Sequence, residues 1–127
     1  MKQALLILFV LCSVRFGLIA QKTIYCSERE VCQWQSDLPH KYNCGKMPEN
    51  SNFRISRDES EIIHTTPEMK SVYTVSSSEK IGNVTVFLTT SDADNNYTFI
   101  WNEKKKEMKI LTYFNAVITF RVIKVVK

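Results

Sequence analysis

The sequence predicts a mainly β protein, an antiparallel meander of about seven strands with a short N-terminal helix. Two observations lead to this class. Val, Ile, Thr, Tyr and Phe are abundant after residue 52, and they recur with a period of two in several short runs. Clusters of Asp, Asn, Ser and Lys separate those runs, as hairpin turns do. An up-and-down order of this kind closes as a small barrel or folds as a sandwich, and both remain open.

Residues 1–20 determine the compartment. Lys2 precedes an apolar run from Ala4 to Val14, which Arg15 interrupts, and this is the pattern of a secretory signal peptide. The run is shorter than the roughly 20 apolar residues of a spanning helix, so no stable membrane anchor is expected. Cleavage is expected after Ala20. The prediction is a signal peptide at residues 1–20 and a single secreted, extracellular β-rich domain at residues 21–127.

A short helix is expected near the start of the mature domain. Ser27 and Glu30 have the spacing of a capping box, in which each side chain bonds the backbone amide of the other. The apolar residues that follow recur at helical spacing: Val31, Trp34 and Leu38. Pro39 ends this pattern. The segment from Gly45 to Asn52 is rich in turn-forming residues and is expected to connect the helix to the strands.

The mature domain carries three cysteines: Cys26, Cys32 and Cys44. In an oxidising compartment two of them are expected to form a disulfide, which leaves one unpaired. A helix would hold Cys26 and Cys32 farther apart than the roughly 7 Å between Cα atoms that a disulfide spans. Cys44 is therefore the expected partner of either one. The remaining thiol is expected to be buried or to link two chains as a disulfide-bonded dimer.

Two sequons predict N-glycosylation of the secreted chain, at Asn83 and at Asn96. The first lies in a predicted strand from Ile81 to Thr90, whose residues divide between two faces. Val84, Val86 and Leu88 share one face, and Asn83, Thr85 and Thr89 share the other. This arrangement would place a glycan on the polar face and Phe87 on the outside.

The next predicted strand carries an aromatic stripe of Tyr97, Phe99 and Trp101. Such a stripe is usually core, and the functional alternative is the lining of a ligand cavity. The preceding turn, from Thr90 to Tyr97, resembles the T-D-x-x-x-x-Y turn of lipocalins, over about a dozen residues of the chain. Lipocalins are secreted β barrels that carry small hydrophobic ligands. The resemblance implies that the three aromatic side chains point into a ligand-binding calyx.

Charge and motifs favour a binding protein over an enzyme. Removing Lys2 and Arg15 leaves 15 of the 17 basic residues against 13 acidic ones, a net charge of +2, which predicts no nucleic-acid partner. His40 and His64 could act as acid and base, but their spacing matches no known catalytic pattern, and no G-x-S-x-G motif is present. A zinc site formed by His40 and the cysteines is disfavoured, because no Cys-x2-Cys pair is present.

The sequence therefore predicts a secreted, N-glycosylated, disulfide-containing and non-enzymatic binding protein that needs no cofactor. Its partner would be an extracellular protein. The alternative is a lipocalin-like carrier of a small hydrophobic ligand, and an enzyme that uses the two histidines is a third class.

Overall fold

The computed structural model describes residues 21–34 and 42–127, which form a closed antiparallel β barrel. Each strand pairs with the next along the chain, and the first pairs with the last to close the barrel. The eight strands are β1 (Lys22–Trp34), β2 (Tyr42–Ile55), β3 (Glu61–Thr65), β4 (Lys70–Ile81), β5 (Val84–Ser91), β6 (Asn96–Asn102), β7 (Glu107–Leu111) and β8 (Ala116–Val126). The mainly β, antiparallel prediction is confirmed. The form is a barrel rather than a sandwich, with one strand more than expected.

The predicted N-terminal helix is wrong for residues 27–34, which belong to β1. This segment pairs with β2 on one side and with β8 on the other, so that Val31 lies opposite both Gly45 and Ile118. A capping box stabilises only one helical turn, whereas this double ladder satisfies the backbone along the whole segment. Ser27 lies at a β-bulge between its two neighbours. The end of the expected helix, Leu38, lies outside the described residues.

The predicted turn from Gly45 to Asn52 is also wrong, because this segment continues β2. The ladder between β2 and β3 contains four residue pairs and begins at Asn52. In the part of the chain that the structure describes, residues 42–51 therefore pair with β1 alone. Pro48 has no backbone N–H, and it is tolerated here because a strand edge needs no second ladder.

The hairpin turns explain how a chain with only 3 glycines builds so many strand reversals. Five turns each hold one residue with a positive φ angle, and four of these residues are not glycine. They are Glu59, Gly82, Asp94, Lys106 and Asn115. Asp and Asn tolerate the left-handed conformation better than most residues, which accounts for Asp94 and Asn115 but not for Glu59 and Lys106.

The core consists of side chains that alternate along the inner face of every strand. Its largest fully buried members are Phe53, Phe87, Phe99, Phe120, Ile24, Ile62 and Met108. Phe53 packs edge-on against Phe99 and Phe120, with ring centroids 5.9 and 5.0 Å away. Among the described residues there is no helix that is long and apolar enough to cross a membrane.

The two faces of β5 are opposite to those predicted. Phe87 is buried directly across from Phe99, and Thr85 and Thr89 point inward with it. Leu88, in contrast, is exposed. Burying a phenylalanine removes more apolar surface from water than burying a leucine or valine, so Phe87 decides the orientation. The inward Thr89 hydroxyl is satisfied because it donates to the Tyr97 carbonyl at 2.9 Å.

Candidate ligand-binding site

The up-and-down topology gives the barrel two distinct ends. The rim end contains the β3–β4, β5–β6 and β7–β8 turns and the ends of β1 and β2 that lie next to residues 35–41. The base end contains the β2–β3, β4–β5 and β6–β7 turns together with residues 21 and 127. The candidate site lies on the inside of the barrel towards the rim end.

The wall of the barrel is incomplete beside β2 at the rim end. Residues 42–51 extend beyond the ladder with β3, so one edge of this segment has no strand neighbour within the described chain. Gly45 lies in this segment, and a Cβ atom added to it would meet no atom within 4 Å. Opposite Gly45, Val31 lies in the same cross-strand row as Ile118, which packs against the core. Among the described residues, no strand therefore covers this edge of β2.

Four polar side chains on the first three strands lie in this part of the barrel: Arg29, Glu49, Ser51 and His64. Arg29 Nη1 lies 3.4 Å from Glu49 Oε2, and the Glu49 side chain is only 13% exposed. Ser51 is buried next to Cys26, and the His64 ring stacks on Phe53 at a centroid distance of 4.2 Å. We call these four residues the polar cluster.

Each member of the polar cluster has one buried atom without a hydrogen-bond partner. These atoms are Arg29 Nε, Glu49 Oε1, Ser51 Oγ and His64 Nε2, and a fifth such atom, Trp101 Nε1, lies apart from them at the base end. Leaving a polar atom buried and unpaired costs about 1–3 kcal/mol, so native proteins rarely gather several in one place without a purpose. A ligand or ordered water that supplies the missing partners, after a small movement of these side chains, would recover that energy.

His64 is uncharged at neutral pH. Its burial lowers the pKa from 6.5 to about 4, and the positive charge of Arg29 lowers it further in the same direction. The ring lies between Phe53 and Phe120, whose centroids are 4.2 and 5.0 Å away. A neutral imidazole has one donor and one acceptor nitrogen, so His64 Nε2 can meet either kind of ligand atom.

Cys26 is the unpaired cysteine, and it is buried. Burial raises the pKa of its thiol to about 12, although the neighbouring Ser51 hydroxyl offsets part of this increase. The Ser51 oxygen does not reach a hydrogen-bonding geometry with any partner. A protonated and inaccessible thiol is unreactive towards disulfide exchange.

A chain of aromatic rings leads from the rim end to the polar cluster. It starts at the exposed Tyr113 and Phe114 in the β7–β8 turn and ends at Phe53 and His64 in the interior. Successive ring centroids are 5.1 Å (Phe114–Tyr113), 5.7 Å (Tyr113–Tyr97), 5.3 Å (Tyr97–Tyr73), 4.8 Å (Tyr73–Phe99), 5.9 Å (Phe99–Phe53) and 4.2 Å (Phe53–His64) apart. The two rings next to the polar cluster, Phe99 and Phe53, are fully buried, so the aromatic chain connects the rim end to the polar cluster through packed side chains.

The predicted aromatic stripe lies inside the barrel, but its members are in different surroundings. Tyr97 is partly buried in the aromatic chain, and Phe99 is fully buried in the core. Trp101 is buried at the base end, where it lines a hollow of about 300 Å³ together with Lys106 and Lys124. Only Tyr97 and Phe99 therefore belong to the candidate site.

Sequence reasoning missed Arg29, Glu49 and Ser51 as site residues, and it considered His64 only as a catalytic group. The signal was the period-two series Glu49, Ser51 and Phe53, which shares one face once residues 42–55 are a strand. This series was not recognised, because the sequence predicts a turn from Gly45 to Asn52. His40, the other histidine of the catalytic alternative, lies outside the described residues.

A disulfide joins Cys32 to Cys44, which lie directly opposite each other on β1 and β2. It therefore crosslinks the part of the β1–β2 hairpin that extends beyond β3. The cross-strand pairing removes the ambiguity of the sequence, because it selects Cys32 over Cys26. The two sequon asparagines are exposed, Asn83 in the β4–β5 turn and Asn96 at the first position of β6.

Within residues 21–34 and 42–127, no three His, Cys, Asp or Glu side chains lie close enough together to hold a metal ion. No protein-family model, curated protein or solved structure matches this chain.

Proposed function

We propose that this protein is a secreted, non-enzymatic carrier that holds a small, largely apolar ligand inside the rim end of its barrel. The observation that carries the proposal is the polar cluster: four buried polar atoms without partners, on neighbouring strands of a closed barrel. Sites for small molecules combine a mainly apolar lining with a few polar groups that fix orientation. In this proposal the aromatic chain supplies the apolar lining, and the polar cluster supplies the polar groups.

Secretion and glycosylation are part of the same proposal. The signal-peptide pattern of residues 1–20 and the Cys32–Cys44 disulfide both fit an oxidising compartment. Asn83 and Asn96 are exposed, so a glycan on either would extend into solvent. The resemblance of the segment from Thr90 to Tyr97 to the lipocalin turn agrees with a carrier. Burial of Cys26 favours a monomer over a dimer linked through this residue.

An extracellular protein partner is the second candidate. The edge of β2 that has no strand partner within residues 21–34 and 42–127 could accept a strand from another protein, and a hollow of about 450 Å³ lies on the surface beside Leu111 and Val117. Pro48 and Lys46 lie on that edge, and proline and lysine are residues that discourage edge pairing. The carrier is therefore favoured, because it also accounts for the unpaired interior atoms.

The test combines native mass spectrometry with a fluorescent probe. The protein secreted from eukaryotic cells, after removal of glycans, is expected to be a monomer that retains an additional small mass. After extraction of that ligand, N-phenyl-1-naphthylamine is expected to bind with an increase in fluorescence, because its emission rises in apolar surroundings. Tyr113→Ala should weaken this binding, since Tyr113 belongs to the aromatic chain.

Tyr25→Ala is the matched control, because Tyr25 is a partly exposed tyrosine whose ring lies beside Lys124 rather than in the aromatic chain. Equal loss of probe binding in the two variants would contradict a site at the rim end. A ligand-free protein that does not bind the probe would overturn the carrier and favour the protein partner.

A further inference from the structure

We infer that the ligand carries an uncharged polar group that both donates and accepts hydrogen bonds, such as an alcohol or a primary amide. Arg29 and Glu49 would select this group against a carboxylate or an amine. The inference rests on the proposed function, because it concerns the chemistry of the same site.

The first argument is the charge balance of the polar cluster. Arg29 and Glu49 form an ion pair in which their side chains are 31% and 13% exposed, so each charge is partly removed from water and compensated by the other. His64 adds no charge at neutral pH, and Ser51 has none. A charged ligand would bring a third charge into this space without a counter-ion, at a high cost in desolvation.

The second argument is the kind of atom that lacks a partner. Arg29 Nε can only donate, and Glu49 Oε1 can only accept. The two atoms belong to the two partners of one ion pair. A hydroxyl group or an amide can accept from the arginine and donate to the glutamate. A carboxylate cannot donate to Glu49 and is repelled by it, whereas an ammonium group cannot accept from Arg29 and is repelled in turn.

Ser51 and His64 do not discriminate between these ligands. A hydroxyl group donates and accepts, and a neutral imidazole nitrogen does one or the other according to its tautomer. Their unpaired atoms can therefore adapt to whichever ligand is bound. The selectivity is expected to reside in Arg29 and Glu49 alone.

The experiment measures how four compounds with the same alkyl chain displace N-phenyl-1-naphthylamine from the ligand-free protein at pH 7.4. The compounds are decanol, decanamide, decanoic acid and decylamine. Decanol and decanamide are expected to displace the probe at concentrations about tenfold lower than the acid or the amine, which corresponds to about 1.4 kcal/mol.

Two single variants should change this order in opposite directions. Glu49→Gln leaves Arg29 uncompensated, so decanoic acid should become the best competitor. Arg29→Gln leaves Glu49 uncompensated, so decylamine should become the best one. Glu103→Gln is the matched control, because Glu103 lies at the base end, 4.0 Å from Lys22 and from Lys80. It should leave the order unchanged.

The double variant Arg29→Gln with Glu49→Gln keeps the inference testable if a single variant fails to fold. It removes the repulsion that Glu49 exerts on the acid and that Arg29 exerts on the amine, so the preference for the uncharged compounds should become clearly smaller than in the wild-type protein. An undiminished preference in this variant would overturn the inference. The inference is overturned if the wild-type protein prefers the acid or the amine, or if folded Glu49→Gln keeps the wild-type order. If the probe does not bind at all, the carrier itself is rejected, and this inference is rejected with it.

Discussion

The two halves of the barrel share one continuous sheet, yet their interiors differ in kind. Towards the base end the inner face is filled by side chains that are at most 5% exposed, namely Ile24, Ile55, Ile62, Trp101, Met108 and Val122. Towards the rim end the inner face holds an arginine, a glutamate and a histidine with unpaired polar atoms, whereas among the described residues the base half holds a single such atom, Trp101 Nε1. The comparison indicates that the base half stabilises the fold, and it agrees with the proposal that a ligand binds in the rim half.

The incomplete ladder beside β2 explains how both halves exist in one small barrel. All eight strands contribute to the core around Phe53 and Phe99, whereas residues 42–51 continue past β3 without a second strand neighbour among the residues that the structure describes. The disulfide between Cys32 and Cys44 crosslinks this extension. The part of β2 that pairs on both sides therefore belongs to the core, and the disulfide stabilises the part that pairs with β1 alone.

The largest expected effect separates two methionines in the two halves. Met108→Ala should lower the free energy of unfolding by about 4 kcal/mol, because Met108 is fully buried and its removal leaves a cavity. Met69→Ala should change it by less than about 0.5 kcal/mol, because Met69 is 62% exposed in a turn at the rim end. Urea denaturation measures both. Similar losses in the two variants would contradict the burial of Met108 in the core of the base half.

Loss of the disulfide is the next largest effect. Cys32→Ser and Cys44→Ser should each lower the free energy of unfolding by about 3 kcal/mol, because the same crosslink is lost in both. Cys26→Ala should cost about 1 kcal/mol, since it removes only one small buried side chain. Secreted yield and urea denaturation measure these changes. A Cys32 variant that is as stable as the wild-type protein would contradict the pairing.

The pH dependence of stability tests whether His64 is buried in neutral form. Its pKa is 6.5 in the unfolded chain and about 4 in the folded protein, so the unfolded chain binds the proton more tightly. The stabilisation is complete above pH 6.5 and is lost as the pH falls towards 4, with about 2 kcal/mol lost at pH 5. His64→Phe should keep the stacking and lose this share of the pH dependence, as urea denaturation across this pH range would reveal. An unchanged dependence of stability on pH in the His64→Phe variant would contradict the burial of His64 in neutral form.

The smallest effect on stability is expected from the glycosylation sites. Asn83→Gln and Asn96→Gln should each remove one glycan from the secreted protein and change the free energy of unfolding by less than about 0.5 kcal/mol, because both residues are exposed. Mass spectrometry before and after glycosidase treatment measures the loss of the glycan. A variant that keeps the mass of the wild-type glycoprotein would show that its asparagine is unmodified.

Much of the β class was predictable because its signals are local. The turn after Thr90 and the alternation of Ile118, Phe120 and Val122 in β8 both agree with the structure. The pattern at residues 27–38 misled because a capping box is also local, whereas β1 is held by β8, which is distant in the sequence. The polar cluster could not be predicted, because it depends on the strand assignment of residues 42–55 and on a long-range contact with His64.

The most direct test of the difference between the two halves is an NMR titration of the isotope-labelled protein with decanol. The backbone amides of Arg29, Ser51 and His64 are expected to shift, because these residues surround the candidate site. The Trp101 indole N–H at the base end is expected to stay unchanged. Shifts confined to Trp101 and Val122, with none in the polar cluster, would contradict the assignment of ligand binding to the rim half.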